Sequence, residues 1–262
     1  MSLYNNGVCI RMHDADKQRI GGGKRGKCDG SFSSASFRRL REFCITHDID
    51  TADCWGVTLT IPGLSVVRFE YVKYYVHKLS VWANGRNIPL VWRCELQQRG
   101  QAHLHLVCYC PCRDCVLLLL QWQKYIMTSG KCVSVEPVAE NIDDLVWVNR
   151  MFVKGSCHAF DVQRLSGDFR SWRYLVAHAS KGKQVQAGWP GRQWGIVNKH
   201  LFKVDFGITY DLEDKYVYMV RRWLRRLTRR KIRTIGRHFL LTDPKTVKRM
   251  VDYIRQLEYV PF

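Results

Sequence analysis

Three side chains that commonly bind metal ions, Glu95, His103 and His105, lie close together in the sequence. The stretches 90–97 and 102–109 are rich in strand-forming residues and are separated by a short segment with the turn letters QRG. If they pair as a hairpin around this turn, Glu95 lies opposite His103. His105 then shares their sheet face, because side chains alternate along a strand. Two imidazoles and a carboxylate suit Mg²⁺ or Mn²⁺ acting as a Lewis acid on a phosphate, and the ligand chemistry alone also admits zinc.

A second candidate group lies in the segment WRYLVAHASK, residues 172–181, which the pattern predicts to be a helix. At about 100° per residue, Tyr174, His178 and Lys181 fall on one face of that helix. A tyrosine hydroxyl has a pKa near 10, so a nearby cation or a lysine that holds the phosphate is needed to make it a useful nucleophile. The alternative is a surface tyrosine with an unrelated lysine. Together with the histidines, the segment favours phosphoryl transfer through Tyr174.

The elements that must position these groups are alternating strands and helices between about residues 55 and 198. A β-rich strand is predicted at 55–60, and helices at 66–82 and 116–128, in addition to the hairpin and the tyrosine helix. The first 50 residues are expected to be an irregular basic segment, and the chain after residue 202 is expected to be helical and basic. This divides the chain into parts at 1–50, 51–200 and 201–262.

The charge balance points to a polyanionic partner. The chain of 262 residues has 42 Lys+Arg against 23 Asp+Glu, a net charge of +19, with 46% hydrophobic residues for a core. Nucleic acid is the first partner this favours and an anionic membrane surface the second. No apolar run approaches the ~20 residues of a membrane helix, and no signal-peptide core is visible. The eleven cysteines, an odd number, are expected to be reduced thiols in a cytosol or nucleus.

The most basic stretch is RRWLRRLTRRKIRTIGR, residues 221–237, with nine Lys or Arg and no acid. Its apolar residues keep helical spacing, which leaves the basic side chains on the opposite face for phosphate contacts. A membrane contact or a localisation signal is an alternative use. The residues expected to contact DNA are Arg221, Arg222, Arg225, Arg226, Arg229, Arg230, Lys231 and Arg233.

Two further motifs are weaker signals. The cysteines of CYCPCRDC, residues 108–115, include one CxxC pair, whereas a structural zinc site normally needs two, so buried thiols are favoured over zinc. GGGKRGKC, residues 21–28, imitates a phosphate-binding loop but has Cys28 in place of Ser or Thr and no apolar strand before it. Nucleotide hydrolysis is therefore not expected.

These motifs resemble HUH-superfamily endonucleases, which initiate rolling-circle replication in single-stranded DNA phages and related plasmids. WGVTLTIP at 55–62 is similar to the first motif, GQAHLHLV at 100–107 to the histidine motif and YLVAHASK at 174–181 to the tyrosine motif. GRQWG at 191–195 resembles a tail that follows the tyrosine helix in phage members. The resemblance covers about residues 50–200.

The resemblance implies an α+β fold with a central antiparallel sheet flanked by helices, as in RRM-like domains. The basic helical extension expected after residue 202 follows this domain. It implies that Tyr174 attacks a phosphodiester in single-stranded origin DNA, giving a 5′-phosphotyrosine and a free 3′-hydroxyl. Glu95, His103 and His105 would bind Mg²⁺ or Mn²⁺, and Lys181 would position the phosphate. The implied partners are origin DNA and a host helicase and polymerase, in the host cytoplasm or, for a eukaryotic host, the nucleus.

The sequence departs from the family pattern at one position. Many phage members have a second tyrosine four residues after the first, where this chain has His178. A mechanism with one tyrosine follows, in which termination needs a second subunit or another group, and His178 is left for acid/base chemistry or metal binding. Two alternatives stay open: a single-strand DNA transposase or mobilisation relaxase with the same chemistry, and a non-catalytic DNA-binding regulator of replication.

Overall fold

A computed structural model describes residues 1–4, 7–11, 34–49, 53–60, 69–96, 102–127, 160–166, 174–176, 192–210, 212–228, 237–241 and 244–258. The strands are β1 (Ser2–Tyr4), β2 (Gly7–Arg11), β3 (His47–Asp48), β4 (Asp53–Thr60), β5 (Leu90–Leu96), β6 (Ala102–Tyr109), β7 (Phe160–Ser166), β8 (Trp194–Val197), β9 (Lys203–Val204), β10 (Ile208–Thr209) and β11 (Arg237–Leu241). The helices are α1 (Ser34–Thr46), α2 (Phe69–Asn84), α3 (Cys112–Met127), α4 (Asp214–Thr228) and α5 (Pro244–Glu258).

The chain forms two compact units. The central unit comprises Lys27–Phe37 and Ile49–Lys203. The terminal unit comprises Met1–Gly26, Arg38–Asp48 and Val204–Phe262, so it contains both ends of the described chain.

The central unit is built on a five-stranded antiparallel sheet in the order β7-β4-β6-β5-β8. Helices α2 and α3 belong to the same unit and pack on each other. This architecture confirms the predicted α+β class. The strand that carries both histidines, β6, lies in the middle of the sheet, between β4 and β5.

The two faces of this sheet differ in chemistry because side chains alternate along each strand. One face is apolar and forms the core together with α2 and α3, where Leu104, Leu106 and Trp122 are fully buried. The opposite face bears the polar side chains Thr58, His103 and His105, which alternate with those core residues. The apolar face therefore anchors the strands, and the other face carries the polar side chains.

The register of the predicted hairpin is confirmed. Cα pairing between β5 and β6 places Glu95 opposite His103 and Arg93 opposite His105. The turn residues Gln98–Gly100 lie outside the described residues. Because every pair on this ladder follows the same register, Glu95 and both histidines are on one face of the sheet.

Helix α3 begins four residues before the predicted start at residue 116. The carbonyl of Pro111 accepts the amides of Asp114 and Cys115, so the helix begins within the cysteine cluster. Asp114 lies in the first turn, where a carboxylate interacts favourably with the helix dipole. The prediction started the helix at the apolar run and missed its polar first turn. Helix α2 runs from Phe69 to Asn84 where residues 66–82 were predicted.

The terminal unit has a four-stranded antiparallel sheet in the order β10-β1-β2-β11. Its core combines Leu3, Val8 and Ile10 of the sheet with apolar residues of two helices. The residues that α4 and α5 contribute are Val217, Val220, Leu224, Val247, Met250, Ile254 and Leu257. The rings of Trp223 and Tyr253 stack with centroids 5.3 Å apart, which joins the two helices.

The prediction of an irregular segment at 1–50 is wrong for residues 2–4, 7–11 and 34–46, which form β1, β2 and α1. The prediction of a separate helical extension at 201–262 is also wrong, since this stretch contains β10 and β11 and shares a sheet with the amino terminus. The physical reason is the same in both cases. A strand as short as β2 gives a weak local signal, and its partner β11 lies more than 200 residues away along the chain.

None of the helices within the described ranges is long and apolar enough to cross a membrane.

Candidate active site

The candidate metal-binding residues are together on the polar face of the central sheet. Glu95 and His105 are buried, and the Glu95 Oε1 atom lies 2.5 Å from His105 Nε2. The ring of His103 is half-buried, with its centroid 6.2 Å from that of His105. The hairpin therefore places the three predicted ligands in one cluster.

Tyr174 joins this cluster through Thr58, which is not among the predicted site residues. The Tyr174 hydroxyl lies 2.9 Å from Thr58 Oγ1, and the same Thr58 oxygen lies 3.1 Å from His105 Nδ1. Thr58 is directly opposite His105 in the β4–β6 ladder, which is why it reaches the imidazole. The rings of Tyr174 and His105 meet edge to face, with centroids 6.2 Å apart.

The donors and acceptors of this chain of hydrogen bonds can be assigned from the carboxylate. An ionised Glu95 only accepts, so His105 donates from Nε2 and, when neutral, accepts at Nδ1. Thr58 then donates to His105 Nδ1, and its oxygen accepts the hydroxyl proton of Tyr174. The phenol thus points into the sheet face and is linked to Glu95 through two intervening side chains.

The environment of Tyr174 makes it a weaker acid than free tyrosine. Burial raises the pKa of Tyr174 to about 12, and nearby negative charges such as Asp161 and Glu95 add to the increase, whereas the hydrogen bond with Thr58 opposes it. At neutral pH the phenol is therefore protonated. A nearby positive charge is required to stabilise its anion during attack.

The donor types of the cluster fit Mg²⁺ or Mn²⁺, but the side-chain positions are those of a direct hydrogen bond. Within the described part of the chain, no group of three or more His, Cys, Asp or Glu is placed to hold a metal ion. Two oxygen or nitrogen ligands at right angles about an ion with ~2.1 Å bonds are ~3.0 Å apart, more than the 2.5 Å between Glu95 and His105. A rotation of the Glu95 side chain is needed before both can bind one ion.

A buried cation borders the cluster on β5. The Arg93 Nη1 atom donates to the backbone carbonyl of Cys94 at 2.6 Å, and Gln193 offers its own carbonyl at 3.5 Å and its Oε1 at 3.4 Å. Burial lowers the pKa of Arg93 to about 10. Cys94 also donates its amide to the Gln193 carbonyl at 2.8 Å, so β5 is tied to the segment that contains Gln193.

The remaining predicted site residues are on α4 or in parts of the chain that the structure does not describe. The residues outside the described ranges are His178, Lys181, Arg229, Arg230, Lys231 and Arg233. On α4, Arg222, Arg225 and Arg226 are exposed, whereas Arg221 is buried with 6% of its surface accessible, so it is not on the exposed basic face. Arg221 is on the same side of the helix as Val217 and Leu224, which pack into the core of the terminal unit.

The cysteine cluster is part of the central core. Cys108, Cys110 and Cys115 are buried free thiols, and burial raises the pKa of the Cys108 thiol well above its ordinary value. The raised pKa makes the Cys108 thiol a poor nucleophile, because the thiolate is the reactive form.

Thr58 could have been found from the sequence by one signal. In WGVTLT, the hydroxyl residues Thr58 and Thr60 alternate with Val57 and Leu59, which predicts a polar face on β4. What the sequence does not give is the pairing of Thr58 with His105, because β4 and β6 are separated by a helix and another strand.

No protein-family model, curated protein or solved structure matches this chain.

Proposed function

We propose that this protein is a metal-dependent DNA nicking and joining enzyme that starts rolling-circle replication, with Tyr174 as the nucleophile. The observation that carries the proposal is the hydrogen-bonded line from Tyr174 through Thr58 and His105 to Glu95, with His103 on the same face. A phenol directed into a cluster of two imidazoles and a carboxylate is an arrangement suited to phosphoryl transfer.

The reaction is a transesterification. The Tyr174 oxygen forms a bond to phosphorus, and the bond between phosphorus and the 3′ oxygen breaks. Tyr174 loses its phenolic proton, and the leaving 3′ oxygen gains a proton. Thr58 accepts the phenolic hydrogen bond, so it orients the nucleophile. The product is a 5′-phosphotyrosine with a free 3′-hydroxyl, and the reverse reaction joins strands.

The raised pKa of Tyr174 supports a role for a divalent cation. A bound Mg²⁺ or Mn²⁺ supplies positive charge that polarises the scissile phosphate. Glu95, His103 and His105 are the residues that would hold it, after Glu95 turns away from His105. Lys181 is a further candidate for phosphate positioning. The net charge of +19 favours a DNA substrate.

One observation favours a second candidate, the non-catalytic DNA-binding regulator. The direct contact between Glu95 and His105 closes the cluster with a hydrogen bond that needs no ion. A protein that kept this arrangement would keep the fold and the basic surfaces but would form no covalent intermediate.

The test is a denaturing-gel assay for a covalent adduct. The probes are 3′-labelled single-stranded oligonucleotides that tile the DNA around the protein's own gene, with Mn²⁺ or Mg²⁺. We expect an adduct that Tyr174→Phe reduces by more than about 10²-fold, because the nucleophilic oxygen is lost. Tyr125→Phe is the matched control, since it removes a phenolic oxygen that contacts the Lys78 carbonyl on the helical side of the same unit.

The metal is tested separately by binding. Titration of the protein with Mn²⁺, followed by electron paramagnetic resonance, is expected to show a site that the double variant His103→Ala/His105→Ala loses. An exposed carboxylate at the far end of β4 gives the control Asp53→Asn. An adduct that persists in Tyr174→Phe would move the nucleophile elsewhere. Absence of any adduct, with DNA binding intact, would select the regulator.

A further inference from the structure

Helix α4 of the terminal unit has an exposed basic face that the proposed nicking reaction does not use. Arg222, Arg225 and Arg226 are exposed on this face. The acid within the helix sequence is its first residue, Asp214, and Glu213 just before it pairs with Lys215 at 3.1 Å. The three arginines lie beyond this pair, toward the carboxyl end of the helix.

Two large, weakly polar side chains are exposed on the same face. Tyr218 is 63% exposed and Met219 is 41% exposed. At about 100° per residue, both lie within ~60° of Arg222 around the helix axis. Exposed apolar surface is unfavourable in water. Beside arginines that can contact phosphates, such side chains can contact the sugars, base edges and thymine methyl groups of DNA.

The apolar face of α4 is already buried, which argues against a membrane partner. Val217, Val220 and Leu224 pack into the core of the terminal unit. The Trp223 ring stacks on Tyr253 of α5 at an interplanar angle of 8°, so the helix cannot turn this face outward without breaking the stack. A helix that inserts into a lipid surface needs its apolar face free.

The shape of the surface favours duplex over single-stranded DNA. With 15 residues, α4 is ~22 Å long, and a helix of ~10–12 Å diameter fits a major groove ~12 Å wide. Binding of single strands instead uses grooves in which successive bases stack on several aromatic rings. The exposed face of α4 is convex and has one aromatic ring, that of Tyr218.

We propose that α4 is a recognition helix for double-stranded DNA, with Arg222, Arg225 and Arg226 on phosphates and Tyr218 and Met219 at base edges. This function belongs to the terminal unit and is independent of the chemistry proposed for Tyr174. It gives the protein a way to bind a duplex site next to the strand that is cut.

A fluorescent 24-base-pair duplex is first chosen by selection from a random duplex library. The test measures binding of the 262-residue protein to this duplex at several salt concentrations, with a chelator present. The variant is Arg222→Ala/Arg225→Ala/Arg226→Ala. Three lost phosphate contacts are expected to reduce the slope of log affinity against log salt by ~2.7 and to weaken binding at least ~10-fold. Removing three exposed lysines of α2 and α3, Lys73→Ala/Lys78→Ala/Lys124→Ala, is the charge-matched control and is expected to change binding less than threefold.

The base contacts have their own readout. Tyr218→Ala/Met219→Ala is expected to reduce discrimination between the selected duplex and a scrambled one while the salt slope stays the same. The inference is overturned if the arginine variant and the lysine control weaken duplex binding equally. It is also overturned if the arginine variant loses binding only to the single strand of the same sequence or to vesicles of phosphatidylserine. Because chelator excludes metal-dependent cleavage, this result is read separately from the adduct assay.

Discussion

Thr58 is the residue that converts a group of separate side chains into a connected site. Its hydroxyl lies between Tyr174 and His105, 2.9 Å from the Tyr174 hydroxyl and 3.1 Å from His105 Nδ1. Its position follows from the β4–β6 register, which places it opposite His105. We therefore regard it as a positioning residue for the proposed nucleophile.

Thr58→Val removes the hydroxyl and keeps the β-branched shape that a strand favours. We expect the rate of adduct formation to fall about 10-fold or more, because the phenol loses its orientation toward His105. Thr58→Ser, which restores a hydroxyl at the same atom, is expected to recover most of the rate. Single-turnover adduct formation measures both. Equal rates in the valine and serine variants would show that the hydroxyl does not position Tyr174.

At this scale the sequence predicts pairs within one hairpin and misses pairs between distant strands. The pairing of Glu95 with His103 follows from counting outward from a short turn, and the β5–β6 register confirms it. Thr58 opposite His105 depends on how the sheet is ordered, which requires the whole set of strands. The burial that raises the pKa of Tyr174 is likewise a property of the assembled face.

Among the elements, the position of strand β8 depends on a glycine, Gly195. Gly195 pairs with Trp92 of β5, and a Cβ built at Gly195 would approach the indole ring to 2.8 Å. Trp92 is itself packed in the core of the central unit. The edge strand can therefore lie against β5 only where residue 195 has no side chain.

Gly195→Ala is expected to destabilise the β5–β8 edge by about 1–3 kcal/mol, because the Trp92 ring must shift within a packed core. Gly85→Ala is the matched control, since a Cβ there meets nothing closer than 3.6 Å. Native-state hydrogen exchange of amides in β5 and β8 measures the difference. Equal protection in the two variants would contradict this account of the edge.

The predicted elements were those with strong local patterns. The hairpin strands and α3 have continuous runs of apolar or alternating residues, and their positions agree with the structure to within a few residues. The strands β7 and β8 were missed. β7 reads FDVQRLS and lies at the sheet edge with exposed Asp161, Gln163 and Arg164, so polar residues dilute its alternation. β8 is only four residues long, too short for a periodicity to be read.

In the whole molecule, the terminal unit depends on a strand from the amino terminus. Val8 of β2 is fully buried, and β2 lies between β1 and β11 in the sheet. Val8 also contacts the core that α4 and α5 share. The basic helices therefore pack on residues from the amino-terminal segment, which was expected to be irregular.

Val8→Asp is expected to unfold the terminal unit, because an unpaired carboxylate in an apolar core costs several kcal/mol. We expect faster hydrogen exchange in β11, α4 and α5 and unchanged exchange in β4 and β6. Thr209→Asp, at an exposed position of β10 in the same sheet, is the control and is expected to leave exchange unchanged. Uniform loss of protection in both units would show that they do not unfold separately.

The pairing of β2 with β11 also sets the order of events during synthesis. Gly7 pairs with Leu241, so Gly7 is synthesised 234 residues before its partner. At ~5–20 residues per second, that interval is on the order of tens of seconds, during which an apolar strand has an open edge. An incomplete chain then has no assembled sheet on which α4 can be held. The duplex binding that we propose for α4 therefore requires a chain that extends at least as far as β11.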